Sequence, residues 1–391
     1  MEIRGATAST IEKTIPSGGF NLTNIVNAPV NWTPQGFAGF YYDLKDELGR
    51  EELEILQTDL SKNQRAVGEN NLVYRTTAQK KKLKVVNDGF NGSASAATEA
   101  GLEKVGSAFT SSGEYLIMGW QGEKYIAVNN KIDIISKLLF EHGATANEKK
   151  TLAVGEKWDI GDGWELIAQS IDAKASPRQV WLTLSYKGQK LDDKVVAQGK
   201  IYTYVEKSIA EESDVPMFVT KVDSVFAGAD GDMAQLRFTW VVSRNVTKIK
   251  SGETIGAFKV KDINQTGLRL ELKNEKIITL DQNAVIDLIG NIKLKVADKA
   301  DVLRLYPKVD YEMASAKPAT TSTITPIATP TIIETVATKA LSITPTITST
   351  PAINTPAPPE PRVTSTLEMP GFEAVFAISG LLAVAYLVLR K

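Results

Sequence analysis

The sequence predicts an all-β protein: two tandem β-sandwich domains, a disordered Thr/Pro-rich stalk, and one C-terminal transmembrane helix. Three observations carry this. From residue 151 to residue 296, short apolar runs are cut every few residues by polar or glycine turns. That punctuation belongs to sandwiches and barrels, not to a parallel α/β sheet. From residue 314 to residue 368 the chain holds 20 Thr or Ser and 9 Pro in 55 residues, with no aromatic and no glycine. From Met369 it changes to Met-Pro-Gly-Phe-Glu, then an apolar run over residues 374–389, and then Arg390-Lys391. The boundaries so drawn are 1–207 and 208–313 for the two sandwich domains, 314–368 for the stalk and 369–391 for the anchor.

Residues 1–36 are polar and rich in Asn, Pro and Gly, and they hold acceptor sequons for N-glycosylation at Asn21 and Asn31. Residues 1–30 show no apolar core of a secretory signal, so the reading is that the chain begins near a mature N-terminus. Residues 37–42 and 52–56 predict a hairpin, with 48–60 also open to a short helix. Residues 72–77 and 82–86 predict a second strand pair, joined through Lys80-Lys81-Lys82. That triplet reads as a solvated turn or an edge strand in preference to a site for an anionic polymer. A third acceptor, Asn91, lies in a Gly/Ala/Ser/Asn-dense loop over 87–113.

Strands are expected at 115–120 and 124–128 around the Gln121-Gly122 turn, while 132–140 is too short to assign by period. Further strands are expected at 165–171, 180–186, 194–205, 218–225, 234–242, 254–260, 268–272, 276–280 and 291–296. Within them, residues 164–186 align without gaps on 218–240. Leu182, Leu184 and Tyr186 then match Leu236, Phe238 and Trp240, the alternation that one buried sheet face needs. A duplication of this kind implies two related β-domains in tandem. Acceptors at Asn245 and Asn264 complete the five sequons.

The stalk cannot bury a core. Proline keeps such a segment extended, to roughly 170 Å at the polyproline limit, and clustered Ser/Thr with Pro is the composition of O-glycosylated spacers. The apolar run of 16 residues is short for a span, which needs roughly 17–25. Gly371-Phe372 at one end and snorkelling Arg390 and Lys391 at the other bring it into range. The terminal cations favour the cytoplasmic side, which puts the preceding residues outside the cell.

Composition narrows the chemistry. Over 391 residues, 45 Lys+Arg meet 46 Asp+Glu, a balance that gives no reason to expect a nucleic-acid partner. Without cysteine there is no thiol catalysis, and stability outside the cell must come from a large core or lateral assembly. One histidine, His142, cannot supply a two-His metal site and is expected in a surface or loop role. The acidic-glycine patches at 159–163 and 230–232 lack the oxygen ligands of a calcium loop and read as turns. No catalytic residue, cofactor or metal ligand is therefore assigned, and the chain is not expected to be an enzyme.

Several stretches together carry a family likeness: Phe37-Ala-Gly-Phe-Tyr-Tyr-Asp-Leu, Leu152-Ala-Val-Gly-Glu-Lys-Trp, Lys187-Gly-x-x-Leu-Asp-Asp-Lys-Val-Val and Tyr202-Thr-Tyr-Val-Glu-Lys. Ile249-Lys-Ser-Gly-Glu-Thr, Gly290-Asn-Ile-Lys-Leu-Lys-Val-Ala-Asp and Leu305-Tyr-Pro-Lys-Val-Asp-Tyr add to it. Over 30–311 the chain resembles the S-layer tile family of Methanosarcina-type archaea. Pro370, Gly371 and Phe372 ahead of the apolar tail resemble the PGF-type C-terminal sorting signal of archaeal surface proteins. The resemblance implies sandwich domains that tile laterally, with themselves and with other S-layer tiles, into a porous lattice at the cell surface. It also implies attachment to the membrane by the C-terminal helix or by a lipid that replaces it. Glycans are further expected partners. The chain carries one tile unit where abundant members often carry two. The alternative from the residues is an anchored adhesin or ligand-binding ectodomain that forms no lattice.

Overall fold

The computed structural model describes residues 1–9, 30–61, 63–89, 113–145, 147–229, 231–297 and 300–311, all within one compact unit spanning Met1–Pro318. The first part of the chain supplies β1 (Glu2–Arg4), β2 (Ala8–Ser9), β3 (Val30–Trp32), β4 (Glu51–Ile55), β5 (Ala66–Val67), β6 (Leu72–Thr77) and β7 (Gln79–Lys82). A single helical turn, α1 (Lys84–Asn87), follows. Next come β8 (Glu114–Trp120), β9 (Glu123–Ala127), β10 (Ile134–Glu141), β11 (Lys149–Ala153), β12 (Lys157–Gly161) and β13 (Trp164–Asp172). Then follow β14 (Gln179–Tyr186), β15 (Gln189–Ala197), β16 (Ile201–Ile209), β17 (Glu212–Gly228) and β18 (Gly231–Lys248). The remainder is β19 (Thr254–Ile255), β20 (Phe258–Asn264), β21 (Arg269–Asn274), β22 (Ile278–Thr279), β23 (Val285–Ile289), β24 (Ile292–Val296) and β25 (Arg304–Asp310). The described residues are thus nearly all β, as expected.

Three large sheets lie in layers. A four-stranded sheet runs β12-β13-β14-β15, and an eight-stranded sheet runs β16-β17-β18-β10-β9-β8-β7 with β11 also on β18. A six-stranded sheet runs β19-β20-β21-β6-β4-β3. The eight-stranded sheet is shared by two cores. Along β8, Tyr115 and Ile117 face the first core, while Leu116, Met118 and Trp120 face the second. Adjacent residues in a strand point to opposite faces, so a run that is apolar at both parities must be covered on both sides. In the first core, Trp164, Leu166, Leu182 and Leu184 of the four-stranded sheet meet Phe218, Leu236 and Trp240. In the second, Leu53, Tyr74, Phe258 and Leu272 of the six-stranded sheet join Leu294, Val296 and Leu305. The latter belong to a five-stranded sheet, β1-β25-β24-β23 with β2 on β25.

This layering differs from a tandem arrangement. The expected boundary after residue 207 falls inside β16, which pairs with β17 from Ile201↔Lys221 to Ile209↔Glu212. Both cores draw residues from both sides of that boundary. The aligned segments 164–186 and 218–240 are each an antiparallel hairpin, β13–β14 and β17–β18. The two hairpins line one core together instead of each building its own. The two hairpins also differ in register by one residue: Trp164 pairs with Tyr186, whereas Phe218 pairs with Val241 and not with Trp240.

Local differences have plain causes. Residues 37–42 form turns and no strand, because the buried aromatics Phe37 and Phe40 recur at i and i+3, which no strand places on one face. Their rings meet edge to face at 4.9 Å. The expected strand 82–86 is not formed past Lys82: the chain leaves β7 for α1, which buries Val85 and Val86. Residues 132–140 resolve into β10. The expected strand 194–205 is broken at Gly199, which has φ of 82° and allows the turn into β16.

The chain ends of the unit meet. β1 pairs with β25, and β24 pairs with β25 on its other side, both antiparallel. The Met1 ammonium donates to the Tyr311 carbonyl at 2.8 Å, and the Tyr311 N–H returns a 2.8 Å bond to the Met1 carbonyl.

Candidate assembly surfaces and the strap over the shared sheet

Residues 33–49 connect β3 to β4 as a chain of turns that crosses from one core to the other. Phe37 and Phe40 belong to the second core, whereas Tyr41 and Leu48 pack on the first. Thr33 starts the strap by accepting the N–H groups of Gly36 and Phe37, both at 2.9 Å. Asp43 and Leu48 close it through reciprocal backbone bonds of 2.7 and 3.2 Å. Gly49 ends it at φ of 138°, where a Cβ would stand 2.2 Å from the Tyr41 carbonyl oxygen. Only glycine fits there.

Two buried ionisable side chains, one acidic and one basic, fasten the strap. Glu51, the first residue of β4, is fully buried. One of its carboxyl oxygens accepts the Tyr41 N–H at 2.8 Å; the other accepts the Tyr74 hydroxyl at 2.5 Å and the Gly122 N–H at 3.0 Å. Tyr74 in turn accepts the Gln121 N–H at 2.9 Å. Gly119 leaves room for the group, since a Cβ there would lie 2.5 Å from a Glu51 oxygen. Burial pushes the Glu51 carboxyl up to about 7, against the hydrogen bonds from Tyr74 and the backbone N–H groups around it.

The second fastening is Lys81, on the first-core face of β7. Its ammonium lies 3.1 Å from Asp43, 3.0 Å from Asp46 and 2.7 Å from Glu141. Burial acts to lower the Lys81 pKa, but Glu141 and the two aspartates outweigh it and hold it above the ordinary lysine value. Tyr115 donates to Glu141 at 3.0 Å, and Lys84 reaches Asp46 at 3.0 Å. The lysine triplet does sit on an edge strand, but its middle residue faces inward. His142 follows β10, half-buried, with its ring 4.0 Å from Phe140.

Three acceptor asparagines fall among the described residues, all exposed. Asn31 is on β3, opposite Glu54 at the edge of the six-stranded sheet. Asn245 stands in an irregular stretch of β18, its N–H donating to the Ser243 hydroxyl at 3.0 Å. Asn264 ends β20, and its side-chain oxygen accepts the Gly267 N–H at 2.7 Å. Asn21, Asn91 and the residues Pro370, Gly371 and Phe372 lie outside the described residues. The four-stranded sheet holds none of the described acceptors. Its outer face shows the cross-strand pair Trp181 and Val195, 44% and 57% exposed, beside the ion pairs Lys157–Glu165 and Lys190–Asp193.

Neither fastening was picked out as a site from the sequence, yet one left a signal. In β4 the burial alternates over Glu51, Leu53 and Ile55, so a glutamate occupies the apolar parity of a strand.

The sequence model of the S-layer protein family matches residues 22–298, and that of the PGF-CTERM motif matches residues 369–391. The chain is 29% identical to the major S-layer protein of Methanosarcina barkeri over 388 residues, covering 94% of this chain and 52% of that protein. It is 30% identical to the major S-layer protein of Methanosarcina acetivorans over 371 residues, 92% of this chain and 50% of that one. The chain thus spans about half the length of these curated relatives. With the family model covering most of its length, this chain belongs to the S-layer protein family.

Proposed function

We propose that this chain is a structural tile of the cell envelope that assembles laterally, with copies of itself and with other tiles, into a porous surface lattice. The family and the C-terminal motif put it at the cell surface with a membrane anchor. The observation that carries the tile reading is the shared sheet. Two cores on opposite faces of one eight-stranded sheet have no linker between them, so the faces of the unit keep fixed angles. A lattice needs that stiffness, because angular play at each tile accumulates across the array.

In this reading, residues 314–368 are the spacer that holds the lattice off the membrane, and 369–391 are the sorting and anchoring segment, kept as a helix or exchanged for a lipid. Asn31, Asn245 and Asn264 are acceptors for N-linked glycans, their exposure supporting that role. Lateral contacts then fall on faces free of the described acceptors, of which the outer face of the four-stranded sheet is one. No catalytic step belongs to this reading.

The test is electron microscopy of the purified chain concentrated on a lipid monolayer, with and without divalent cations. Ordered two-dimensional arrays are expected. Dispersed monomers in every condition would reject the lattice role. Intact-mass and glycopeptide analysis of the native protein tests the acceptors, and bare peptides at all three asparagines would reject them.

A further inference from the structure

Three glutamate side chains are buried among the described residues, and one is treated differently. Glu141 is paired with Lys81 and Glu212 with Lys131, each at 2.7 Å. Glu51 is drier and has no ion pair among the described residues. Its shell consists of hydrogen-bond donors from three separate segments: Tyr41 of the strap, Tyr74 of β6, and Gly122 of the β8–β9 turn. It is therefore the point at which the strap, the six-stranded sheet and the shared sheet are tied together. We propose that Glu51 is a proton-operated fastening: uptake of a proton by the buried carboxyl closes the strap over the shared sheet, and its loss loosens the strap.

The argument is one of linkage. A polar cleft of about 350 Å³, lined by Tyr42, Glu47, Arg50 and Glu52, opens beside Glu51. With the strap closed the carboxyl is dry; with the strap lifted it meets water in that cleft. A carboxyl out of water holds its proton more tightly than one in water, so closing and proton uptake favour each other.

The surrounding charges do not cancel this. On its own strand, Glu54 pairs with Arg75, and Glu52 lies 4.0 Å from the same guanidinium. In the β8–β9 hairpin, Glu123 pairs with Lys137 at 2.6 Å, and Lys124 feels chiefly Glu141 and Lys81 of the other fastening. From β6 only the neutral Tyr74 reaches the carboxyl. From the strap, Glu47 and Arg50 face the cleft with opposite signs. The upward push of burial sets the midpoint near neutrality, where small pH changes act.

Hydrogen–deuterium exchange of the full chain, corrected for the intrinsic pH dependence of exchange, reads the strap directly. Between about pH 5 and about pH 7, opening around Tyr41, Gln121 and Gly122 is expected to rise up to roughly tenfold per pH unit, as one proton is released, and to level off above that. In Glu51→Gln the same amides are expected to show no such slope. Flat wild-type behaviour, or an unchanged slope in the variant, would overturn the proposal. Glutamate labelled with ¹³C at the side-chain carboxyl gives a second reading on the unaltered protein. One carboxyl with its midpoint near neutrality supports the proposal, and all carboxyls titrating below about pH 5.5 reject it.

Discussion

Lys81 holds its ammonium 2.7 Å from the Glu141 carboxylate, and Asp43 and Asp46 of the strap approach the same nitrogen from the other side. One cation thus joins β7, the end of β10 and the strap. Replacing it by the isosteric Lys81→Met leaves Glu141, whose side chain is 6% exposed, without its counter-ion. Breaking a buried pair from one side costs about 3–5 kcal/mol. Urea unfolding should show a lower midpoint for Lys81→Met, with the loss largely restored when Glu141→Gln is added.

The same cluster sets an acid limb. Burial acts to raise Asp43 and Asp46, but the hydrogen bonds and charge of Lys81, with Lys84 at Asp46, hold both below the ordinary aspartate value. Folded groups with a lowered pKa stabilise the protein above the unfolded value, and that contribution is lost as pH falls through the folded one. The melting temperature should therefore fall below about pH 4, near the unfolded aspartate value. Lys81→Met should flatten that limb.

Glu51 has the opposite sign. Its carboxyl is raised from 4.5 to about 7, so between these values the folded chain holds a proton that the unfolded chain has released. This contribution is full below the unfolded value and is lost as pH rises through the folded one. A rise of this size corresponds to about 3 kcal/mol. The melting temperature should decline from about pH 5 to about pH 7 for the wild type and level off above, with a shallower decline for Glu51→Gln.

Gly119→Ala tests the packing around that carboxyl. The added methyl would stand 2.5 Å from a Glu51 oxygen, inside a layer that cannot yield freely. Overpacking of this kind costs typically about 1–3 kcal/mol. Gly188→Ala is the control: nothing lies within 4 Å of its Cβ position, so only the strain at φ of 77° remains, about 1 kcal/mol. Denaturation midpoints should place Gly119→Ala below Gly188→Ala.

Much of the local structure was legible in the sequence. The sequence pattern marks residues 72–77 as a strand, the bounds of β6, and its strands at 115–120 and 180–186 lie within one residue of β8 and β14. In these segments apolar runs end at sharp polar turns, and strand formation depends on neighbours a few residues away. Partnership was not legible. β6 lies between β4 and β21, and Tyr74 pairs with both Leu53 and Leu272. No local pattern encodes a contact across nearly 200 residues. The shared sheet did leave a trace, because 115–120 is apolar at both parities, a mark of a strand covered on two faces. Read for face as well as strand, that run argues against two separate sandwiches. The strap was not legible because its aromatics Phe37, Phe40 and Tyr41, spaced at i, i+3 and i+4, sit in successive turns and in neither a helix nor a strand. Lys81 was lost because a lysine triplet on an edge strand reads as solvent-facing until its carboxylate partners, 35 to 60 residues away, are placed around it.

The final strand has a mechanical meaning. β25 runs between β1 and β24, hydrogen-bonded along both flanks, with the Met1 ammonium on the Tyr311 carbonyl at its end. A pull applied at residue 311 along the strand axis loads both rows of bonds in shear, so they share the force and must yield together. Had this strand been an outer one pulled sideways, the bonds would have opened one after another under a far smaller load. The chain's first residues therefore act as a splint on its last strand, and tension entering there is spread into the second core.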